Sequence, residues 1–213
     1  MPADALRLFV FARHAESAAN AADVLSTSPS RPVALTARGR VQARALGAQL
    51  AHLHVDLAVG TRLLRTRQTI DLVLHGRPVP TVIEPGFDEI RAGDLDGAGI
   101  EAYRSWRDRH SAGDRLPHGE SIDDALRRYA AALRRLLARK EQVTLVVIHE
   151  IALRYIAAAA ATGPAPLNDR VVPNAAPYLF DEPAVRRAAA NLATLNRPPS
   201  PPRASAANPC HPT

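Results

Sequence analysis

Three short apolar runs each end on a polar residue suited to chemistry, and amphipathic segments separate them. Leu6 to Ala12 runs directly into Arg13-His14, Val55 to Val59 leads to Thr61-Arg62, and Val143 to Ile148 leads to His149-Glu150. The last run contains only β-branched residues and Leu, the composition of a strand buried on both faces. Between these runs the apolar positions change to helical spacing. Thr36 to Leu53 places Ala43, Leu46, Leu50 and Leu53 on one side, and a second helix is expected from Leu63 to Leu74. Val79 to Ile83 reads as another strand, stopped by Glu84-Pro85-Gly86. Ser121 can cap a long helix whose apolar side is Ile122, Leu126, Tyr129, Leu133 and Leu136. A helix from Ile151 to about Ala160, a strand from Ala175 to Phe180 and a helix from Ala184 to Leu195 complete the reading. From Gly86 to His118 the pattern is weak and rich in Gly, Asp and Arg.

Strands alternating with helices predict a three-layer α/β/α fold, a single domain with a mostly parallel central sheet and right-handed crossovers. A chain of 213 residues is long enough to bury such a core. The domain is expected over residues 1–196, followed by a Pro-rich disordered tail over 197–213 whose residues bury too little apolar area to offset ordering. In parallel sheets the ligand sits beyond the carboxyl ends of the strands. That rule directs attention to Arg13, His14, Arg62, Arg65 and His149.

Composition excludes several function classes. The net charge is +6, but Lys140 is the sole Lys and the Arg residues are dispersed, without a basic block. This argues for a solvated surface and against nucleic acid as a partner. Cys210 is the single cysteine and stands in the tail without metal-ligand spacing, so neither a disulfide nor a thiol or metal site is expected. No run reads as a membrane span or signal peptide, so a cytoplasmic protein with no membrane partner is the expectation.

Seven segments occur in one order along the chain. They are Arg13-His14-Ala15-Glu16-Ser17-Ala18-Ala19-Asn20; Leu35-Thr36 with Gly39 and Gln42-Ala43; and Leu63-Leu64-Arg65-Thr66-Arg67-Gln68-Thr69. Asp88-Glu89-Ile90 with Gly93 and Gly97, Gly119-Glu120-Ser121, His149, and Pro173-Asn174-Ala175 complete the set. Together they resemble the histidine phosphatase superfamily, which includes the cofactor-dependent phosphoglycerate mutases and many small phosphatases. The resemblance implies a metal-free, cofactor-free phosphatase acting on a small phosphorylated substrate through a phosphohistidine on His14. It implies Glu89 as the general acid and Arg13, Arg65, His149 and Asn20 around the phosphate. The physical chemistry agrees: a doubly charged phosphomonoester without a metal needs fixed cations, and Arg forks onto its oxygens bidentately. The same charges disfavour imidazolium and keep His14 nucleophilic.

Two positions depart from the family pattern. Ala15 stands where Gly follows the nucleophile, adding a methyl beside His14. Glu150 stands where Gly follows the second His; its carboxylate repels substrate unless it points away or pairs with an Arg. A phosphoglycerate mutase and a phospho-ligand-binding pseudoenzyme therefore remain open as alternatives. The connection from Glu89 to Gly119, about thirty residues, is shorter than the cover the mutases use and favours the phosphatase. It carries Arg91, Arg104, Trp106, Arg107, Arg109, His110 and Arg115, as wall or as plain surface. Neither the substrate nor the oligomeric state, a homodimer included, is written in the sequence.

Overall fold

A computed structural model describes residues 7–162 and 172–194. The tail and Cys210 lie outside the described residues. In chain order the elements are β1 (Leu8–Arg13), α1 (Ala18–Ala21), α2 (Ala37–Gln49), β2 (Leu57–Gly60), α3 (Leu64–Val73) and β3 (Thr81–Ile83). There follow α4 (Ile100–Arg109), α5 (Ile122–Leu137), β4 (Val143–Ile148), α6 (Glu150–Ala160), β5 (Pro177–Asp181) and α7 (Glu182–Thr194).

The strands form a five-stranded sheet in the order β3-β2-β4-β1-β5. Every pairing is parallel except that of β1 with the edge strand β5. Register and strand periodicity together build the layers. Val10, Leu145 and Ala58 lie side by side in the ladder, as do their successors Phe11, Val146 and Val59. Successive residues point to opposite faces, so the first row packs with Ala43, Leu46, Ile70 and Val73 of α2 and α3. The second row packs with Leu126, Tyr129 and Leu133 of α5, Leu153 and Ile156 of α6, and Val185 of α7. The expected three-layer α/β/α arrangement follows, with helices on both faces of a mostly parallel sheet.

Where the elements differ from expectation, local chemistry accounts for it. The helix predicted to Leu53 ends at Gln49, with Leu50 as its cap. The Arg77 guanidinium takes the carbonyls of Leu50 and Leu53 there. The last strand begins at Pro177 instead of Ala175, because Ala175 adopts a φ of 52°, incompatible with extended backbone. Helix α4 lay hidden in the weak region: Gly99 caps it without a side chain and only Tyr103 is buried, so its sequence signal is faint.

Candidate active site

The carboxyl ends of β1, β2 and β4 converge, as the sheet order requires. His14 follows β1 directly and its N–H continues the ladder to the Ile148 carbonyl at 2.9 Å. His149 is the N-cap of α6, next to the end of β4. Thr61 follows β2, and Arg65 is the second residue of α3. All four side chains are buried.

Arg65 joins the two histidines. Its Nε donates to His14 Nε2 at 2.9 Å and a terminal nitrogen donates to His149 Nδ1 at 3.1 Å. A guanidinium has no acceptor, so both ring nitrogens facing it carry lone pairs. The opposite nitrogens carry the protons: His14 Nδ1–H donates to the Ala15 carbonyl at 2.8 Å, and His149 Nε2–H donates to Thr61 Oγ1 at 3.0 Å. Burial, and after it the Arg65 charge, holds both imidazoles well below their ordinary value of 6.5, so both are neutral. Burial also lowers the Arg65 guanidinium, to about 10. Ser26 secures its far side through its carbonyl at 2.9 Å and its hydroxyl at 3.3 Å.

The loop that bears His14 is held from several directions. Asn174 donates to the His14 carbonyl at 2.7 Å. Thr69 Oγ1 accepts the Ala15 N–H at 3.0 Å while donating to the Arg65 carbonyl at 2.7 Å, coupling the loop to α3. Gln42 accepts the Glu16 N–H at 2.9 Å, and Gln68 accepts the Leu35 N–H at 2.8 Å. The Ala15 methyl is buried in the cluster with Leu35 and Ala43, and its φ is not positive. A side chain at position 15 is therefore accommodated without backbone strain.

Glu89 lies on the loop after Phe87, accepting the Ile90 N–H at 3.0 Å. Burial raises its carboxyl above the ordinary 4.5, although Arg65 and Arg13 pull in the other direction. The loop is anchored twice. Asp88 accepts Arg62 N–H at 2.9 Å and Arg62 Nε–H at 2.6 Å. Arg128, from α5, donates to the carbonyls of Gly86 at 3.0 Å and Asp88 at 2.9 Å. Glu120, almost fully buried, pairs in turn with Arg128 and with Arg91 at 3.2 Å.

Arg13 donates to the Val172 carbonyl at 2.8 Å and pairs with Glu150 at 2.9 Å, while its buried Nε has no partner among the described residues. Glu150 pairs also with Arg154, one turn along α6. The carboxylate thus meets the condition set by the sequence and does not stand free beside the site. Asn20 serves the cap of α1: its Oδ1 accepts the Ser17 N–H and hydroxyl, both at 3.0 Å.

Of the residues singled out from sequence, His14, Arg65 and His149 are joined directly, and Arg13 and Glu89 act electrostatically on the same group. Ser26, Thr61, Asn174 and Arg128 were not picked out as site residues. Thr61 carried a signal as a strand-end residue and Asn174 as part of its Pro-Asn-Ala segment; Ser26 and Arg128 carried none. The Arg side chains of the 91–115 region have local partners, among them Glu101 for Arg104, Asp108 for Arg107 and Asp124 for Arg115. Among the described residues, no group of three or more His, Cys, Asp or Glu could hold a metal ion, and no helix is long and apolar enough to cross a membrane.

The chain is similar to known proteins. The adenosylcobalamin/alpha-ribazole phosphatase of Salmonella typhimurium is 34% identical over 164 residues, 72% of this chain and 79% of that protein. The 2,3-bisphosphoglycerate-dependent phosphoglycerate mutase 2 of Gloeobacter violaceus is 30% identical over 131 residues, 56% of this chain and 58% of that one. The crystal structure of the alpha-ribazole phosphatase from Shigella flexneri superposes with a TM-score of 0.70 at 27% identity, covering 81% of this chain and 89% of that one. The model of the histidine phosphatase superfamily (branch 1) matches residues 9–182. With its two neutral histidines bridged by an arginine at the strand ends, the chain belongs to the histidine phosphatase superfamily and is an enzyme of that family.

Proposed function

We propose that the protein hydrolyses small phosphomonoesters through a phosphohistidine on His14, without a metal ion. The observation that carries this reading is the 2.9 Å contact of Arg65 Nε with His14 Nε2, which identifies the nitrogen bearing the lone pair. In the reaction Nε2 attacks phosphorus, the bond to the leaving oxygen breaks, and Glu89 gives that oxygen its proton. Water then attacks the phosphohistidine, returns a proton to Glu89 and releases inorganic phosphate and neutral His14. The Nδ1–H bond to the Ala15 carbonyl steadies the ring while it carries the phosphoryl group. Arg13, Arg65 and His149 bind the phosphoryl oxygens, with Asn20 at the rim, and the two arginines supply the positive charge a metal would otherwise bring. Burial, which raises Glu89, favours the protonated carboxyl that its role requires.

The proposal places the enzyme in the cytoplasm, with a small phosphorylated metabolite as its partner and neither nucleic acid nor membrane. The dispersed Arg residues and the single cysteine support this setting. An alpha-ribazole phosphate belongs in the substrate panel because two similar proteins bear that name.

The test is phosphate release from a panel of phosphorylated metabolites, with and without chelator, beside rapid quench for an acid-labile, alkali-stable phosphoprotein. His14→Ala is expected to abolish both release and labelling. Activity that survives His14→Ala, or that needs an added divalent ion, overturns the mechanism. Similarity to a named mutase makes interconversion of 2- and 3-phosphoglycerate the second reading. If protein primed with the bisphosphate interconverts them faster than it releases phosphate, that reading replaces ours.

A further inference from the structure

Glu150 is the charge in the site that the reaction does not use. It begins α6, at the helix N-terminus, where the dipole favours an anion. Its two oxygens are divided between Arg13 at 2.9 Å and Arg154, and its side chain keeps 22% of its surface exposed. Arg13 is a tenth exposed and holds the Val172 carbonyl as well, so Glu150 is fixed against a wall of the site rather than swinging in solvent. A helix N-terminus and a free arginine would together attract a second anionic group of a substrate. Here a carboxylate in the first turn of the helix already pairs with that arginine.

The direction in which that carboxylate acts follows from Glu89. The leaving oxygen lies beside the Glu89 carboxyl, since Glu89 protonates it, and the rest of the leaving group extends past that point. The Glu150 charge is felt at Glu89, where it opposes ionisation together with burial. A leaving group bearing a carboxylate or second phosphate next to the reacting phosphoryl would therefore bring its negative charge towards Glu150, with Arg13 taken up by Glu150 and the phosphoryl group and Arg154 by Glu150.

We infer that Glu150 is a specificity-determining residue that selects phosphomonoesters with an uncharged leaving group and disfavours those carrying a second anion beside the phosphoryl. This inference deepens the phosphatase reading and rests on it for the side at which the leaving group departs. The Glu150 carboxylate excludes by like-charge repulsion and by holding the cations that an anionic leaving group would need.

The probe pair is ethyl phosphate and 2-phosphoglycolate, which share the phosphoryl group and differ by a methyl against a carboxylate. The native protein is expected to show kcat/KM at least about tenfold higher for ethyl phosphate, the effect of one partly exposed charge acting over a few ångströms. Glu150→Gln keeps size and shape and is expected to narrow that ratio by about tenfold. Arg154→Gln removes one of the carboxylate's partners and is expected to widen it. The same two substitutions, made on a His14→Asn background, are read by calorimetric binding of both compounds, which needs no turnover. A binding ratio that follows these directions in a protein that releases no phosphate leaves the inference standing and removes the phosphatase reading. Phosphate release with a ratio unchanged by Glu150→Gln, or a native preference for 2-phosphoglycolate, overturns the inference and leaves the phosphatase.

Discussion

Arg65 Nε donates to His14 Nε2 across 2.9 Å, while the same guanidinium reaches His149 Nδ1 at 3.1 Å. One planar fork therefore selects the tautomers of both histidines and covers the lone pair that attacks phosphorus in the proposed mechanism. In that mechanism a phosphoryl group entering the site competes for the same N–H groups, so that binding substrate and uncovering the nucleophile are one event.

Arg65→Lys tests the fork. A lysine keeps the positive charge but offers a point donor that cannot span both rings. We expect kcat/KM to fall about a thousandfold, the scale of losing preorganised transition-state donors. A loss below tenfold in steady-state assays shows that charge alone suffices at this position.

The pH profile follows from two opposite shifts. His14 is lowered by burial and by Arg65, so the neutral nucleophile persists as pH falls through the ordinary histidine range. Glu89 is raised by burial, so the protonated acid persists above the ordinary carboxylate range. The active form, with His14 neutral and Glu89 protonated, lies between them: activity is lost on the acid side as His14 gains a proton and on the alkaline side as Glu89 loses one. Glu89→Gln is expected to cost most with alcohol leaving groups and least with nitrophenolate, and to remove the alkaline limb. An unchanged limb in that variant assigns it to another group.

Gly39→Ala tests the frame behind the nucleophile. A Cβ built there stands 2.0 Å from the Glu16 carbonyl oxygen, a backbone atom that cannot yield without shifting the loop after His14. We expect a loss of about 2–4 kcal/mol in urea unfolding, in the upper range for overpacking, with activity falling further than stability. Wild-type stability in this variant means that the loop and α2 are farther apart.

Glu120→Ala leaves Arg128 without its carboxylate behind the Glu89 loop. Removing one member of a buried pair costs about 3–5 kcal/mol, and the exposure of Arg91 puts this case at the lower end. The expected readouts are a lower unfolding midpoint and reduced kcat, because Arg128 also holds the Gly86 and Asp88 carbonyls. Glu120→Gln, which retains hydrogen bonding, should recover part of both. A Glu120→Ala protein with unaltered stability and rate shows that the loop is anchored elsewhere.

The segments read from sequence divide into two kinds once their contacts are known. His14, Arg65 and His149 enter the site itself. Gly39, Gln42, Gln68, Thr69 and Glu120 instead fasten the loops that carry it, through backbone groups of Glu16, Leu35, Ala15 and Arg91. Helix α4 escaped detection because little of it is buried. Asn20 was assigned to the phosphate from its segment alone, and its oxygen proves committed to the Ser17 cap.

The sequence by itself determined the layers and the strand ends that meet at the site, because alternation along a strand and 3.6-residue spacing along a helix are local properties that any stretch of chain displays. Tertiary structure decided the rest. Whether Glu150 stands free or paired, which nitrogen of His14 bears the lone pair, and what holds Arg65 all depend on partners far away in the chain. Arg13 meets Glu150 and Val172, Arg65 meets His14 and Ser26, and Asn174 meets the His14 carbonyl. Protonation and charge pairing are set by burial and by distances of about 3 Å, and only the folded chain brings such residues that close.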